Sequence, residues 1–198
     1  MPPPYVLKKK IMVRPMFSLN YKHVFSLEFL YKRLHEWLIE EGYTTAKDDK
    51  WIEKLYLERV SANDMKQIWI WWRTQKNYAY NPFYTFYLNV DFHALGLGET
   101  EIIHEGTKVK TNKGEIEVFI TAWMVLDADD KWDKNFFLKS KMIQNFFLNR
   151  IYKSQIEQAE DELIRDCSRL LGAVKQYFQL ESWLPEYAGK PFHPAKGE

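Results

Sequence analysis

A chain of 198 residues is long enough for one domain that buries a substantial core without the help of metals or disulfides. Its 46% hydrophobic and 28% charged residues exclude an intrinsically disordered protein, because disordered chains lack the apolar side chains that offset the entropy of ordering. The 28 basic and 27 acidic residues nearly cancel, so nucleic acid is not an expected partner: phosphate-backbone binding is driven by an excess of positive charge.

The N-terminal part of the chain contains a predicted strand and a predicted helix. Residues 5–14 alternate like an edge strand, on which lysines discourage unwanted pairing. Ser26 is a suitable N-cap for a helix with a leucine stripe, and Gly42 can end that helix in a left-handed conformation. The helix should therefore pack its leucines against a sheet.

The middle of the chain is predicted to form an antiparallel meander. Apolar and polar side chains alternate in five stretches joined by short turn sequences. The predicted strands are residues 51–61, 66–75, 83–95, 101–110 and 115–126. With the N-terminal strand they make a five- to six-stranded sheet.

Two helices are predicted to follow the sheet. The first begins at Asp129 or Asp130 and carries an apolar stripe that ends at Phe147. The second carries a longer stripe that includes Cys167, which we interpret as a small buried hydrophobic residue and not as a nucleophile. Residues 182–198 are predicted to be an extended, proline-containing tail. Residues 1–198 are therefore predicted to be a single α+β domain.

Compartment and membrane expectations follow from the cysteine content and the apolar runs. One cysteine cannot form an internal disulfide, which favours a reducing compartment. The longest apolar run, residues 118–126, is far shorter than the ~20 residues of a membrane helix. We therefore predict a soluble, cytoplasmic protein that has no membrane partner.

This order of elements resembles the helix-grip arrangement of START-type lipid-binding and cyclase domains, in which an antiparallel sheet wraps around a long C-terminal helix. Those domains place two short helices after the first strand, where this chain has one. The resemblance implies an architecture only, and no residue motif identifies a family. The chain has no GxSxG, Walker or GxGxxG sequence, and we predict no cofactor.

The predicted turns determine which side chains share a face of the sheet. Two-residue turns would place Tyr56 opposite Trp71 and His93 opposite His104. One face then contains the core residues Leu55, Leu57, Ile68, Ile70, Trp72, Phe86, Leu88, Val90, Phe92, Ile116, Val118, Ile120 and Met124. The other contains Tyr56, Glu58, Trp69, Trp71, Arg73, Tyr87, Asn89, Asp91, His93, His104, Glu117, Phe119, Thr121 and Trp123.

This second face is the predicted functional surface, because large exposed apolar patches usually mark binding sites. We interpret the protein as a non-catalytic interaction domain that self-associates through this face into a homo-oligomer. A first alternative is a small apolar or aromatic ligand bound between the sheet and the C-terminal helix. In a purely structural interpretation, a C-terminal helix or the proline-containing tail covers this face as well. The candidate interface or ligand residues are Tyr56, Glu58, Trp69, Trp71, Arg73, Tyr87, Phe119 and Trp123.

A further alternative is a metal-dependent enzyme. Asp91 and His93 would lie on one strand face with His104 opposite, and carboxylate and imidazole groups are ordinary ligands of zinc or iron. Hydrogen-bonded structural histidines would explain the same residues, and no catalytic residue is assigned.

Overall fold

The computed structural model describes residues 5–44, 52–61, 63–78, 81, 83–104, 107–132 and 134–186, with backbone only for residues 104, 107 and 179–186. The strands are β1 (Ile11–Phe25), β2 (Glu53–Val60), β3 (Lys66–Asn77), β4 (Tyr84–His104) and β5 (Thr107–Leu126). The helices are α1 (Leu27–Glu40), α2 (Lys141–Phe146), a π-helical turn (Phe147–Ile151) and α3 (Lys153–Glu186).

The strands form one antiparallel sheet in the order β1-β5-β4-β3-β2, which confirms the predicted α+β fold. β2 and β1 are its edges. None of the helices in the described part of the chain has the length and apolar composition of a membrane span.

α1 forms as its sequence predicts. The Ser26 side chain accepts a hydrogen bond from the Phe29 backbone N–H at 3.2 Å, which caps the first turn. Gly42, with a φ of +75°, follows the helix in the left-handed region that favours glycine. The stripe residues Leu30, Leu34 and Leu38 are buried.

The core lies between one face of the sheet and the helices α1 and α3. On β3, β4 and β5 the alternation of buried and half-exposed side chains is the predicted one. Burial of each large apolar side chain contributes roughly 1.5–3 kcal/mol, so this layer holds most of the fold's stability. α3 contributes the buried residues Ile156, Ala159, Leu163, Cys167, Leu170, Val174 and Phe178.

The side chains of β2 point to the opposite faces of the sheet from those predicted. Leu57 pairs with Trp69, and Glu58 pairs with Ile68. The reason is the loop before β3, which Ser61 and Met65 close with a backbone hydrogen bond of 2.9 Å. This loop is one residue longer than the predicted turn, and a shift of one residue moves every side chain of a strand to the other face.

The predicted turns at residues 98–99 and 111–114 are also wrong, because β4 and β5 run through them. Between Leu95 and Gly98 the register of the two strands shifts by one residue, at a β-bulge. Gly96 occupies the left-handed region, with a φ of +57°. Gly114 lies across from it, where a Cβ atom would come within 3.0 Å of two carbonyl oxygens of β4. Both glycines therefore lie at the bulge, and neither forms part of a turn.

The segment between β5 and α3 is less helical than predicted. The Asp127 carboxylate accepts hydrogen bonds from the backbone N–H groups of Lys131 and Trp132 at 2.8 and 2.9 Å. These bonds stabilise a series of turns, and α2 begins only at Lys141. At the other end of α3, residues 182–186 of the predicted tail continue the helix, and residues 187–198 lie outside the described part of the chain.

Candidate interaction surface on the sheet

The outer face of the sheet is the face that points away from α1 and α3. Its side chains on β3, β4 and β5 are half-buried or exposed, whereas their neighbours along each strand are buried. Among the described residues, therefore, no element covers this face in the way that α1 and α3 cover the core face. Its main members are Leu55, Leu57, Arg59, Trp69, Trp71, Arg73, Tyr87, Asn89, Asp91, His93, Glu117, Phe119, Thr121 and Trp123.

One corner of the outer face is strongly apolar. Leu57 pairs with Trp69 and Leu55 pairs with Trp71 across β2 and β3. Leu57 is 40% exposed and Trp71 is 43% exposed. The sequence prediction missed both leucines, since it assigned them to the core. We call these four residues the apolar corner.

Beside the apolar corner, an ion pair holds two side chains in place. The Arg73 guanidinium contacts both carboxylate oxygens of Asp91, with an Nη2–Oδ2 distance of 3.3 Å, and lies 5.6 Å from the centroid of the Trp71 ring. Both charged side chains are about one-third exposed. Such pairs contribute at most about 1 kcal/mol to stability, so the main effect is to orient the guanidinium beside Trp71.

His93 is held by its neighbours on the same face. Its ring stacks on Trp69 with centroids 5.1 Å apart and 17° between the planes. The Gln67 amide nitrogen lies 3.1 Å from Nε2, and the Glu117 carboxylate lies 3.6 Å from Nδ1. Both ring nitrogens thus have polar neighbours within the protein, as expected for a structural histidine.

A second pair of rings lies towards the other end of β4 and β5. Tyr87 and Trp123 are cross-strand partners whose rings stack with centroids 5.4 Å apart and an interplanar angle of 5°. The Lys10 ammonium lies 3.6 Å from the Trp123 ring centroid. Phe119 lies between the two ring clusters, opposite Asp91. The outer face therefore presents ordered aromatic rings over most of its length.

The proposed metal ligands do not meet. His93 pairs with Glu117, whereas the backbone of His104 pairs with Thr107. The two histidines are eleven positions apart along β4, about 36 Å at 3.3 Å per residue. Asp91 is already paired with Arg73. No group of three potential ligands is found among the residues whose side chains are described. The predicted pairing of His93 with His104 does not form.

Tyr56 and Glu58 lie on the other side of β2, facing α1. Tyr56 donates a hydrogen bond to Glu58 at 3.1 Å, and Lys66 lies 3.1 Å from the other Glu58 oxygen. The hydrogen bond from Lys66 lowers the pKa of Glu58, while burial and the neighbouring Glu58 raise the pKa of Tyr56. These two predicted site residues are therefore separate from the outer face.

Tyr56 and Glu58 line an open cleft of about 620 Å³ beside α1. The Tyr31 hydroxyl of α1 donates a hydrogen bond of 2.7 Å to Glu53 of β2 across it. The cleft is lined by Leu27, Glu28, Tyr31, Lys32, Glu53, Tyr56, Glu58, Lys66, Ile68, Ile70, Leu97 and Asn112. Its walls come from α1, β2, β3 and the bulged end of the β4–β5 hairpin.

Comparisons with known proteins place the chain in no family. No protein-family model matches it, and no curated protein matches it significantly. Among solved structures, it is similar to a protein of unknown function from Staphylococcus aureus, SA2116, with 10% sequence identity. That similarity covers 88% of this chain and 98% of the other, with a TM-score of 0.26. Both values are too low to support an argument about fold or function.

Proposed function

We propose that this protein is a non-catalytic interaction domain that self-associates by packing the outer faces of two copies together. The observation that carries this proposal is the apolar corner, where Leu57 and Trp71 are each more than one-third exposed on a face that no described element covers. Interfaces between protein chains are enriched in tryptophan, tyrosine and arginine, and these residue types make up six of the fourteen main members of the outer face.

The size of the outer face suits a specific interface. Four neighbouring strands at about 4.8 Å spacing, each presenting about nine residues of 3.3 Å, span roughly 19 by 30 Å. This projected area of about 570 Å² underestimates the accessible area, because side chains are not flat. It approaches the ~800 Å² per partner that typical stable complexes bury.

The polar groups at the centre of the outer face are already paired within one copy. Arg73 pairs with Asp91, and His93 has Gln67 and Glu117 beside it. Burying an unpaired charge is costly, whereas a paired and hydrogen-bonded group can be covered at a lower cost. The central polar residues are thus compatible with an interface whose affinity comes from the surrounding rings.

The direct test is the mass of the full chain in solution. We expect sedimentation equilibrium to give twice the 23.9 kDa chain mass at high protein concentration, with dissociation on dilution. A chain that remains monomeric up to about millimolar concentration, where an interaction contributes only about 4 kcal/mol, would rule the proposal out.

A second candidate function is the binding of a small apolar or aromatic ligand in the cleft beside α1. Its volume of about 620 Å³ falls within the range of small-molecule sites, roughly 300–1,000 Å³. Ile68 and Ile70 contribute apolar surface, and Tyr56 adds an aromatic wall. Native mass spectrometry that finds no co-purified molecule, together with no binding of an apolar fluorescent probe, would exclude this function.

A further inference from the structure

Basic charge is concentrated in the segment of residues 131–153, which contains six lysine and arginine residues and one aspartate. The rest of the chain therefore has 22 basic and 26 acidic residues, a net charge of −4, against +5 for the segment. The near-neutral total charge conceals this separation. A surface with this sign of charge attracts an anionic partner.

The same segment exposes large apolar side chains to an unusual degree. Phe136 is 89% exposed, Met142 is 81% exposed and Phe137 is 74% exposed. The Phe136 and Phe137 rings lie together, with centroids 5.7 Å apart, and Phe146 and Ile151 of the same segment are 57% and 51% exposed. Side chains of this type are normally at least partly covered, and contiguous exposed apolar surface marks an interaction site.

The segment is attached to the domain at both ends, so its exposure is a feature of the folded protein. Trp132 packs against Phe83, with ring centroids 4.8 Å apart, and near its other end Leu148 is buried. The Asn149 side chain accepts a hydrogen bond from the Tyr5 backbone N–H at 2.8 Å. Between these attachments, turns and α2 present the phenylalanines outward.

Two lysines of this segment can contact an anionic partner. Lys139 and Lys141 are exposed and have no ion pair with any described residue. They lie between the exposed Phe137 and Met142 in sequence. Aromatic rings enter the boundary between headgroups and acyl chains, while lysine stems lie along the apolar layer with their charges at the phosphates.

We propose that the 131–153 segment docks this domain onto the surface of an anionic phospholipid bilayer. Phe136, Phe137 and Met142 insert at the headgroup boundary, and Lys139 and Lys141 contact the phosphates. The expectation of no membrane partner depended on the absence of a spanning segment, and a docking segment does not span the bilayer. The surface is separate from the outer face of the sheet, so either proposal stands without the other.

Flotation with lipid vesicles tests this docking. We expect the full chain to float with vesicles of phosphatidylcholine containing 30% phosphatidylglycerol, and not with phosphatidylcholine alone. K139Q/K141Q should lower the partition coefficient on the order of 25-fold, since each basic residue near such a surface contributes about fivefold. F136S/F137S should lower it about tenfold or more through lost apolar insertion.

Matched control variants lie elsewhere on the surface. K110Q/K175Q removes two exposed lysines, and I103S removes a side chain that is 76% exposed, all outside the segment. These variants should bind as the unchanged chain does. If they weaken binding equally, or if the unchanged chain does not bind anionic vesicles at low salt, the proposal is wrong.

A site-specific label reports insertion directly. Cys167 is the single native cysteine and is buried, so F137C can be labelled with an environment-sensitive dye. A blue shift with anionic vesicles for labelled F137C and not for labelled I103C supports insertion, and an equal shift for both refutes it. If F136S/F137S lowers the oligomer mass and leaves flotation unchanged, the segment contacts a second copy and membrane docking is refuted.

Discussion

Replacing Trp71 with serine gives the sharpest test of self-association through the outer face. Trp71 is 43% exposed in one copy, which is roughly 110 Å² if a tryptophan side chain presents about 250 Å². At about 25 cal/mol per Å², its complete burial in the interface contributes about 2.7 kcal/mol. That value corresponds to about a 100-fold change in the dissociation constant for each copy. A two-fold dimer loses two such contributions, up to about 10⁴-fold.

Tyr56→Ser is the matched control for Trp71→Ser. Tyr56 is 51% exposed and lies on the neighbouring strand, but on the face towards α1. We expect Trp71→Ser and Leu57→Ser to weaken the oligomer and Tyr56→Ser to leave it unchanged. In an apolar-probe assay the order should reverse, because Tyr56 lines the cleft and Trp71 does not.

Sedimentation velocity across a dilution series measures these dissociation constants, and circular dichroism verifies that each variant remains folded. Two outcomes contradict the reasoning. One is an unchanged dissociation constant for a folded Trp71→Ser variant. The other is weakening by Tyr56→Ser equal to that caused by Leu57→Ser, which would mean that β2 has the predicted register and not the one described.

Three further predictions concern groups outside the outer face. Burial raises the pKa of the Cys167 thiol to about 12, so at pH 8 it should react with a disulfide reagent only at the rate of unfolding, and rapid native-state labelling would contradict this. Burial also raises the pKa of Glu160, so the folded state favours the protonated form of this carboxyl group. Its contribution to the free energy of unfolding is therefore fully present below the ordinary pKa of a glutamate and is lost as the pH rises through the raised pKa. Glu160→Gln should therefore raise the urea midpoint at pH 7 and leave it unchanged near pH 4. Gly114→Ala should lower the free energy of unfolding by about 1–3 kcal/mol, because the added Cβ would press against backbone atoms of β4. Gly172→Ala in α3 should raise it by about 0.5–1 kcal/mol, because the added Cβ would have no atom within 4 Å and alanine favours a helix.

The core face of β3, β4 and β5 was predictable because alternation along a strand is a local property. Trp72 and Val90 are buried wherever the strand ends lie, since residues two apart point to the same side. The helix α1 was predictable for a similar reason: Ser26 and Gly42 act within one turn of the helix. Features of this kind need no information from distant parts of the chain.

Pairing between strands was not predictable from the same sequence. One extra residue in the loop closed by Ser61 and Met65 inverts β2, and no local signal distinguishes the two loop lengths. Gly96 and Gly114 each suit a turn when considered alone. Their shared role becomes visible only when the two backbones are known to lie against each other at the bulge.

These two corrections change the chemistry of the candidate surface in the same direction. The inverted β2 removes Glu58 from the outer face and brings in Leu57, and the continuous β4 carries the backbone of His104 away from His93. The titratable cluster that favoured a cation thus becomes a pair of satisfied contacts, Asp91 with Arg73 and His93 with Glu117. A face with fewer unpaired charges and more exposed apolar side chains is poorer at binding metals. It is also better at excluding water from a contact with a second protein surface, which supports the proposed self-association.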